Sequence, residues 1–312
     1  MTAGTLTNSS GMHRDSDLSV RSVNWHVWPY CNYRCKFCFA RFERGARGRN
    51  TLLREEGLEL ISRLVDAGMR KITFVGGEPM LCPHIGEYLK HARDLGCITM
   101  MVTNGSLVTE EFLDDFGSSL DWVGVSLDSS SESTERMLGR GEGNHLQSVM
   151  RVARLVRDFG IRLKVNITVT RPVLHEDLHG ILEHLRPERL KLLQIMPVAG
   201  QNDKSIEGLE ISKAEFYEFV ERHRDLSPIA EDNEMMTGSY VMIDPSGRFF
   251  QNTQGTYKYS SFILKVGVLE ALGQVGFSWN RLVERGGSGY FEDEVSLKLT
   301  RDSLDRASAE GL

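Results

Sequence analysis

The sequence predicts an α/β protein that forms a partial (βα)6 barrel and carries a C-terminal extension. Between residues 20 and 195 of the 312-residue chain, six short β-branched segments alternate with amphipathic helical segments. Polar motifs follow the first two predicted strands, at the end of a barrel where enzymes place their chemistry. The alternation then stops. We therefore divide the chain into a flexible tail at 1–19, a barrel at 20–200 and an extension at 201–312.

The predicted strands are short and are bounded by Gly, Asn, Asp or Pro. They lie at 23–27, 72–75, 98–103, 122–126, 163–169 and 190–195. The predicted helices of the barrel have apolar residues at helical spacing, and they lie at 52–67, 87–95, 144–159 and 175–185. In the extension, Ser212 and Glu215 form a capping-box pattern that begins a helix ending near residue 224. Residues 240–251 predict a hairpin around a turn at 244–247.

The composition is that of a globular protein, and it excludes several classes of function. The net charge of −6 argues against a general nucleic-acid binder, which needs a basic surface. The five cysteines do not form a disulfide pattern, so a reducing compartment is the natural one. No apolar run reaches membrane-spanning length, and residues 1–19 lack the apolar core of a signal peptide. We expect a cytoplasmic monomer with no membrane and no nucleic-acid partner.

Three cysteines form a C-x3-C-x2-C run after the first predicted strand, at Cys31, Cys35 and Cys38. Iron–sulfur clusters are held by cysteine thiolates, usually four of them. Three thiolates at this spacing can hold three irons of a [4Fe–4S] cluster and leave the fourth iron open to a small molecule. Aromatic residues that would shield such a cluster from water lie between and after the cysteines: Tyr33, Phe37 and Phe39.

A structural zinc site is the alternative for these cysteines. Zinc prefers four ligands in C-x2–4-C pairs, and no second pair follows here, although His26 offers a fourth ligand. The corresponding hypothesis for the whole protein is a zinc-stabilised binding module without catalysis. The spacing favours the iron–sulfur cluster over zinc.

The cysteine run, followed by an aromatic residue, resembles the signature of the radical S-adenosylmethionine (SAM) enzymes. A second motif agrees with it, because the predicted strand at 72–75 leads into Gly-Gly-Glu-Pro at 76–79, which in that family lies beside the amino group of SAM. Over about residues 20–297 the chain resembles one family among these enzymes, the viperins. The matching segments are 22–26, 76–79, 103–107, 139–145, 164–166, 189–191, 239–240 and 285–287.

The resemblance implies the reaction. Viperins dehydrate a nucleoside triphosphate to its 3′-deoxy-3′,4′-didehydro analogue, which terminates chains made by viral polymerases. The cofactors implied are a [4Fe–4S] cluster and SAM, with an electron donor such as flavodoxin or ferredoxin. Reductive cleavage of SAM gives a 5′-deoxyadenosyl radical that removes the hydrogen at C4′ of the ribose. The 3′-hydroxyl then leaves as water, and an electron with a proton completes the product.

Residues for SAM are implied by the same resemblance. Gly76 and Gly77 let the backbone approach a ligand closely, and Glu78 can accept a hydrogen bond from the methionine ammonium. The other cofactor-binding residues implied are Phe37, Thr103, Asn104, Ser126 and Arg140.

Cations on two neighbouring predicted strands point to a polyanionic substrate. Lys164 and Asn166 on one strand, and Arg189 and Lys191 on the next, are spaced i, i+2, so each pair points to one face. Cations that face a barrel interior need a compensating anion such as a triphosphate, whereas outward-facing cations would simply be solvated. The resemblance adds three further substrate residues: Asn24, Lys71 and His145. It also selects Tyr240, which either quenches a radical, faces the substrate or is a buried core residue.

The sequence of the extension bears on two questions: which nucleobase the enzyme accepts, and whether it belongs to a competing class of radical SAM enzyme. Animal viperins that use CTP carry a basic segment after the hairpin, whereas residues 251–258 here are mostly neutral amides and hydroxyls. Amides suit the edge of a pyrimidine, so UTP or CTP is favoured without separating the two.

The competing enzyme is a radical SAM protein acting on another nucleotide or on a peptide. Such proteins usually carry extra C-terminal cysteines, and none follows Cys97 here.

Overall fold

Ten strands form one sheet in the computed structural model, which describes residues 20–42 and 50–285. The strands are β1 (Ser22–Trp28), β2 (Lys71–Gly76), β3 (Ile98–Thr103), β4 (Trp122–Ser126), β5 (Arg162–Val169), β6 (Arg189–Gln194), β7 (Ile229–Glu231), β8 (Met242–Ile243), β9 (Arg248–Gln251) and β10 (Lys258–Phe262). Their order is β10-β9-β8-β1-β2-β3-β4-β5-β6-β7. The predicted tail at 1–19 and residues 286–312 lie outside the described residues.

The six predicted barrel strands are all present, and consecutive strands from β1 to β6 pair in parallel. The sheet does not close, because β7 and β10 are its two edges. The prediction of an α/β fold with a partial barrel is therefore confirmed. Parallel strands place their carboxyl ends at one rim, and the segment with the three cysteines follows β1 at that rim.

Helices alternate with the strands, as the periodicity predicts. The described helices are α1 (Arg54–Asp66), α2 (Ile85–Asp94), α3 (Glu110–Phe116), α4 (Glu132–Met137), α5 (His145–Asp158), α6 (His179–Leu185), α7 (Lys213–Arg222), α8 (Asn233–Met236), α9 (Ile263–Val266), α10 (Val268–Gly273) and α11 (Trp279–Glu284). The sequence analysis missed the short helices α3, α4, α8, α9, α10 and α11. It also began the helix predicted at 175–185 too early, because residues 175–178 form a turn and an irregular segment before α6 begins at His179. None of the described helices is long and apolar enough to cross a membrane.

The residues after 200, which we call the extension, add strands to both sides of the six-stranded sheet. β7 pairs in parallel with β6, and β8 pairs in parallel with β1. The predicted hairpin is present as β8 and β9, although Tyr240 precedes β8 and is not part of it. The predicted capping box is present too, because the Ser212 amide donates to Glu215 Oε2 at 2.7 Å and α7 follows. The extension thus pairs with both edge strands of the six-stranded barrel sheet, β1 and β6.

Candidate active site

A cavity of about 790 Å³ contains both the cysteines and the cations that the sequence analysis selected. This volume lies in the ordinary range of ligand sites. The cavity runs from the cysteine segment to the first residues of β1, β2 and β6. The selected residues that line it are Asn24, Cys31, Cys35, Phe37, Cys38, Lys71, Gly76, Gly77, Thr103, Asn104, Ser126, Arg140, Lys164, Asn166, Arg189, Lys191 and Tyr240. Two selected residues, Glu78 and His145, are not among the lining residues.

The three cysteines of the candidate site are free thiols that are partly buried. Burial raises the pKa of Cys35 to about 12, despite the opposing charge of Arg140, and it also raises the pKa of Cys31. Among the described residues, the only three metal-ligating groups that meet within 4.8 Å of one another are Asp177, His179 and His223. At least one pair of the three cysteine sulfurs is therefore more than 4.8 Å apart, which is wider than two ligands of one tetrahedral zinc ion. Three separated thiols suit a cluster, in which each thiolate binds its own iron.

The glycines of the Gly-Gly-Glu-Pro motif hold the chain that leads into the cysteine segment. A Cβ on Gly77 would lie 2.1 Å from the Tyr30 carbonyl oxygen, and one on Gly76 would lie 2.8 Å from that of Trp28. The Gly77 amide donates to the Trp28 carbonyl at 2.7 Å. The close approach that requires glycine here is thus between two backbone segments. It fixes the rim of β2 against the residues just before Cys31.

Glu78 organises the rim from behind the cavity wall. Its buried carboxylate accepts hydrogen bonds from Thr103 Oγ1 at 2.7 Å, from the Asn104 amide at 2.9 Å and from the Met80 amide at 3.1 Å. Burial raises its pKa, although these donors oppose the shift. Since Thr103 and Asn104 line the cavity, Glu78 positions two lining residues at the end of β3.

Arg140 forms a charged part of the cavity wall. Its guanidinium lies 5.4 Å from the centre of the Phe37 ring and donates through Nε to Asp128. Glu135 Oε2 lies 3.7 Å from the same nitrogen. Burial and the charge of Asp128 raise the pKa of Glu135 to about 8, with Arg140 opposing. The sequence analysis missed Asp128 and Glu135, since nothing in their local pattern marks them as partners of Arg140.

His145 lies behind the same wall. Its Nε2 is 2.8 Å from the Ser126 carbonyl oxygen, and its ring packs edge-on against Tyr33 with 5.5 Å between centres. Burial, together with the charge of Arg140, lowers the pKa of His145 to about 3, so the imidazole is neutral. In this position His145 supports Ser126 and Tyr33, which both line the cavity.

The cationic end of the cavity is built by the register of β5 and β6. Lys164 pairs with Arg189, and Asn166 pairs with Lys191. The pKa of Lys164 lies well below its ordinary value, because of burial and the charges of Lys191 and Lys71. Among the described lining residues there are nine Lys or Arg side chains and one carboxylate. The cavity lining therefore has a large excess of basic side chains, although the chain carries a net charge of −6.

That carboxylate belongs to Glu231 on β7, and the extension brings it to the cavity together with Tyr240 and Arg285. Lys191 Nζ lies 2.5 Å from Glu231 Oε1 and donates to the Tyr240 hydroxyl at 2.7 Å. The Arg285 guanidinium stacks 3.7 Å from the centre of the Tyr240 ring. The sequence analysis selected neither Glu231 nor Arg285. The segment at 285–287 was a signal for Arg285, whereas β7 is too short to be recognised.

Comparison with known proteins agrees with this geometry. The family model described as the radical SAM superfamily matches residues 25–185. A protein of Flammeovirga pacifica named S-adenosylmethionine-dependent nucleotide dehydratase is 44% identical over 275 residues, covering 86% of this chain and 95% of the relative. A protein of the same name from a Thermoplasmatales archaeon is 35% identical over 243 residues, covering 78% of this chain and 87% of the relative.

Solved structures show the same fold at low sequence identity. Native anSMEcpe with bound AdoMet superposes with a TM-score of 0.57 at 15% identity, covering 84% of this chain and 82% of that one. SuiB of Streptococcus suis bound to S-adenosylmethionine gives a TM-score of 0.59 at 15% identity, covering 75% and 60%. The chain therefore belongs to the radical SAM superfamily and, within it, to the S-adenosylmethionine-dependent nucleotide dehydratases, the viperin family.

Proposed function

We propose that this enzyme converts a ribonucleoside triphosphate, UTP or CTP, into its 3′-deoxy-3′,4′-didehydro analogue, a chain terminator for antiviral defence. The observation that carries the proposal is that three cysteines and a group of buried cations line one cavity. The first set suits a radical SAM cluster, and the second suits a triphosphate. The relatives named as nucleotide dehydratases favour a nucleotide over a peptide.

Cys31, Cys35 and Cys38 would hold a [4Fe–4S] cluster, and Phe37 would cover one side of it. When bound, the cluster and SAM supply the radical that removes a hydrogen atom from the substrate. For SAM, the lining residues at the rims of β2, β3 and β4 are the candidates, and Arg140 would bind the methionine carboxylate. They are Gly76, Gly77, Thr103, Asn104, Ser126 and Arg140.

The nucleotide would lie deeper in the same cavity. Lys71 and Arg189 are the first residues of β2 and β6, and Lys164 and Lys191 follow along β5 and β6. A seven-residue strand rises about 20 Å, which gives room for SAM at the rim and a triphosphate at the strand starts. The ribose would lie between them, with Asn24 and Asn166 beside it. The chain's own contribution is to orient C4′ and exclude water.

Base selection would depend on the segment after the hairpin. Asn252 and Tyr257 line the cavity, whereas the cation of that segment, Lys258, is exposed. An amide and a phenol can each donate and accept, so they suit a pyrimidine edge without requiring a charge. We further propose that the enzyme works as a cytoplasmic monomer, reduced by a donor of the flavodoxin or ferredoxin class.

Transfer of the C4′ hydrogen tests the proposal. Enzyme reconstituted with iron and sulfide without oxygen would be reduced and incubated with SAM and UTP or CTP deuterated at C4′. We expect deuterium in the 5′-deoxyadenosine formed, and no 5′-deoxyadenosine from a Cys35→Ala variant. Unlabelled 5′-deoxyadenosine and unchanged triphosphate would contradict the proposal. Iron and zinc would be measured in the same preparation, because stoichiometric zinc without iron would favour the binding module instead.

A further inference from the structure

Glu231 is an anion in a cavity whose other charged lining residues, in the part of the chain that the structure describes, are lysines and arginines. Among the described lining residues it is the sole carboxylate, and its side chain is 1% exposed. Although burial opposes ionisation, Lys191 and Arg285 lower the pKa of Glu231 to about 2. The residue therefore carries its charge throughout the neutral pH range. A fixed negative charge beside a site for a triphosphate repels the ligand, so its presence requires an explanation.

Both oxygens of Glu231 are used, and their partners come from three separate segments. Oε1 lies 2.5 Å from Lys191 Nζ on β6 and accepts from Arg285 Nη1 at 3.1 Å, just after α11. Oε2 accepts a hydrogen bond from the hydroxyl of Tyr240, which precedes β8. Glu231 itself lies on β7, where it pairs with Leu193. One carboxylate thus ties the barrel to two separate parts of the extension.

These contacts fix the direction of two groups that line the nucleotide end of the cavity. Lys191 Nζ is held between the carboxylate and the Tyr240 hydroxyl, 2.7 Å from the latter. The Tyr240 ring is also held by the Arg285 guanidinium, which stacks on it. Without the carboxylate, the flexible Lys191 side chain and the Tyr240 hydroxyl would each sample several orientations.

We propose that Glu231 is a positioning residue, which lowers the affinity for the triphosphate while holding Lys191 and Tyr240 in the orientation needed for turnover. The inference rests on the proposed function, since it concerns the nucleotide of that reaction. Orientation of a substrate affects rate more than affinity, whereas a like charge near the phosphates affects affinity. Binding and turnover should therefore change in opposite directions when the charge is removed.

A Glu231→Gln variant of the reconstituted enzyme tests this, because glutamine keeps the size and one oxygen acceptor but loses the charge. Dissociation constants for UTP and CTP would be measured by calorimetry with SAM present, and turnover by formation of the dehydrated triphosphate. We expect affinity to increase about three- to tenfold and turnover to fall about tenfold or more. Glu218→Gln, on the exposed face of α7, makes the same chemical change away from the cavity and should alter neither quantity.

Glu231→Asp is the second variant, and it keeps the charge while moving it by one methylene. We expect the affinity for the triphosphate to stay close to that of the wild type, because the negative charge still repels it. Turnover should fall, because the displaced carboxylate no longer orients Lys191 and Tyr240. This variant also tests the inference if the glutamine variant fails to fold, which thermal melting would reveal.

Equal affinity and turnover in Glu231→Gln and wild type would overturn the inference. Parallel losses of affinity, turnover and melting temperature in both Glu231 variants would also overturn it, since they would mean that Glu231 only stabilises the fold. A wild-type enzyme that dehydrates no triphosphate would instead contradict the proposed function, and that failure is visible without any variant.

Discussion

Lys164 on β5 and Arg189 on β6 are register partners in the parallel sheet, and both side chains line the cavity. Adjacent strands lie about 4.8 Å apart, so two cations at paired positions repel each other. The lowered pKa of Lys164 is one consequence of this crowding. A fold that keeps such a pair in its interior gains from any anion that binds between them.

Replacing Lys164 with methionine should weaken triphosphate binding about 10- to 100-fold, because a charge-assisted hydrogen bond contributes about 1.5–3 kcal/mol. SAM binding should be unchanged, since the residues proposed for SAM lie at the other end of the cavity. Calorimetry with each ligand separately would measure both effects. Lys90→Met removes the same group from the exposed face of α2 and should leave both affinities unchanged. Equal nucleotide affinities in Lys164→Met and wild type would count against a phosphate role for Lys164.

Nucleotide binding should take up protons. Burial and neighbouring cations hold the pKa of Lys164 below its ordinary value, and a bound triphosphate would raise it again. The bound state therefore carries more protons than the free state, and affinity should decrease as pH rises through the lowered pKa. Calorimetry in buffers of different ionisation enthalpy measures this uptake. The proton uptake should be smaller in Lys164→Met. Release of protons when the nucleotide binds to the wild type would contradict the prediction.

Gly77→Ala should reduce the iron content of the reconstituted protein and lower its melting temperature. The new Cβ would lie 2.1 Å from the Tyr30 carbonyl oxygen, so the segment before Cys31 must move. Overpacking of this kind costs about 1–3 kcal/mol. Gly180→Ala in α6 is the matched control, because nothing lies within 4 Å of its added Cβ. Full iron loading in Gly77→Ala would mean that this contact does not position the cysteines.

Stability should depend on pH through Glu135. Burial and Asp128 raise the folded-state pKa of Glu135 to about 8, from a usual value of 4.5. The folded state thus holds this proton more tightly than the unfolded state. The contribution of Glu135 to stability is complete below about pH 4.5 and is lost as pH rises through about 8.

Urea unfolding at pH 5.5 and pH 8.5 would measure that contribution. We expect the free energy of unfolding to decrease with pH in the wild type, and to decrease less in Glu135→Gln. The exposed Glu183→Gln should follow the wild type. An identical pH dependence in wild type and Glu135→Gln would mean that Glu135 is already ionised beside Arg140.

Much of the fold could be predicted from sequence, because short apolar strands alternate with amphipathic helices through the whole barrel. Six apolar segments with Gly or Pro nearby are sufficient to indicate the parallel strands. The alternation of Lys164 with Asn166 also indicates their common face, since side chains two apart on a strand point the same way. By contrast, α3 and α4 have only seven and six residues, which is too short for helical periodicity to be distinct.

The candidate site was predictable only where the residues are local in sequence or matched a family segment. The cysteine run and Gly-Gly-Glu-Pro are local. Glu231 was missed because its importance comes from contacts with Lys191, Tyr240 and Arg285, which are 40, 9 and 54 residues away. A three-residue strand that pairs at the edge of a sheet leaves no pattern from which such contacts can be inferred.

The central claim is that one cavity binds a [4Fe–4S] cluster, SAM and a nucleoside triphosphate, and that the enzyme dehydrates the triphosphate there. The most direct measurement is mass spectrometry after anaerobic incubation of the reduced, reconstituted enzyme with SAM and each of CTP, UTP, GTP and ATP. The account predicts 5′-deoxyadenosine together with UTP or CTP lighter by one water. Cleavage of SAM that leaves all four triphosphates unchanged would contradict it.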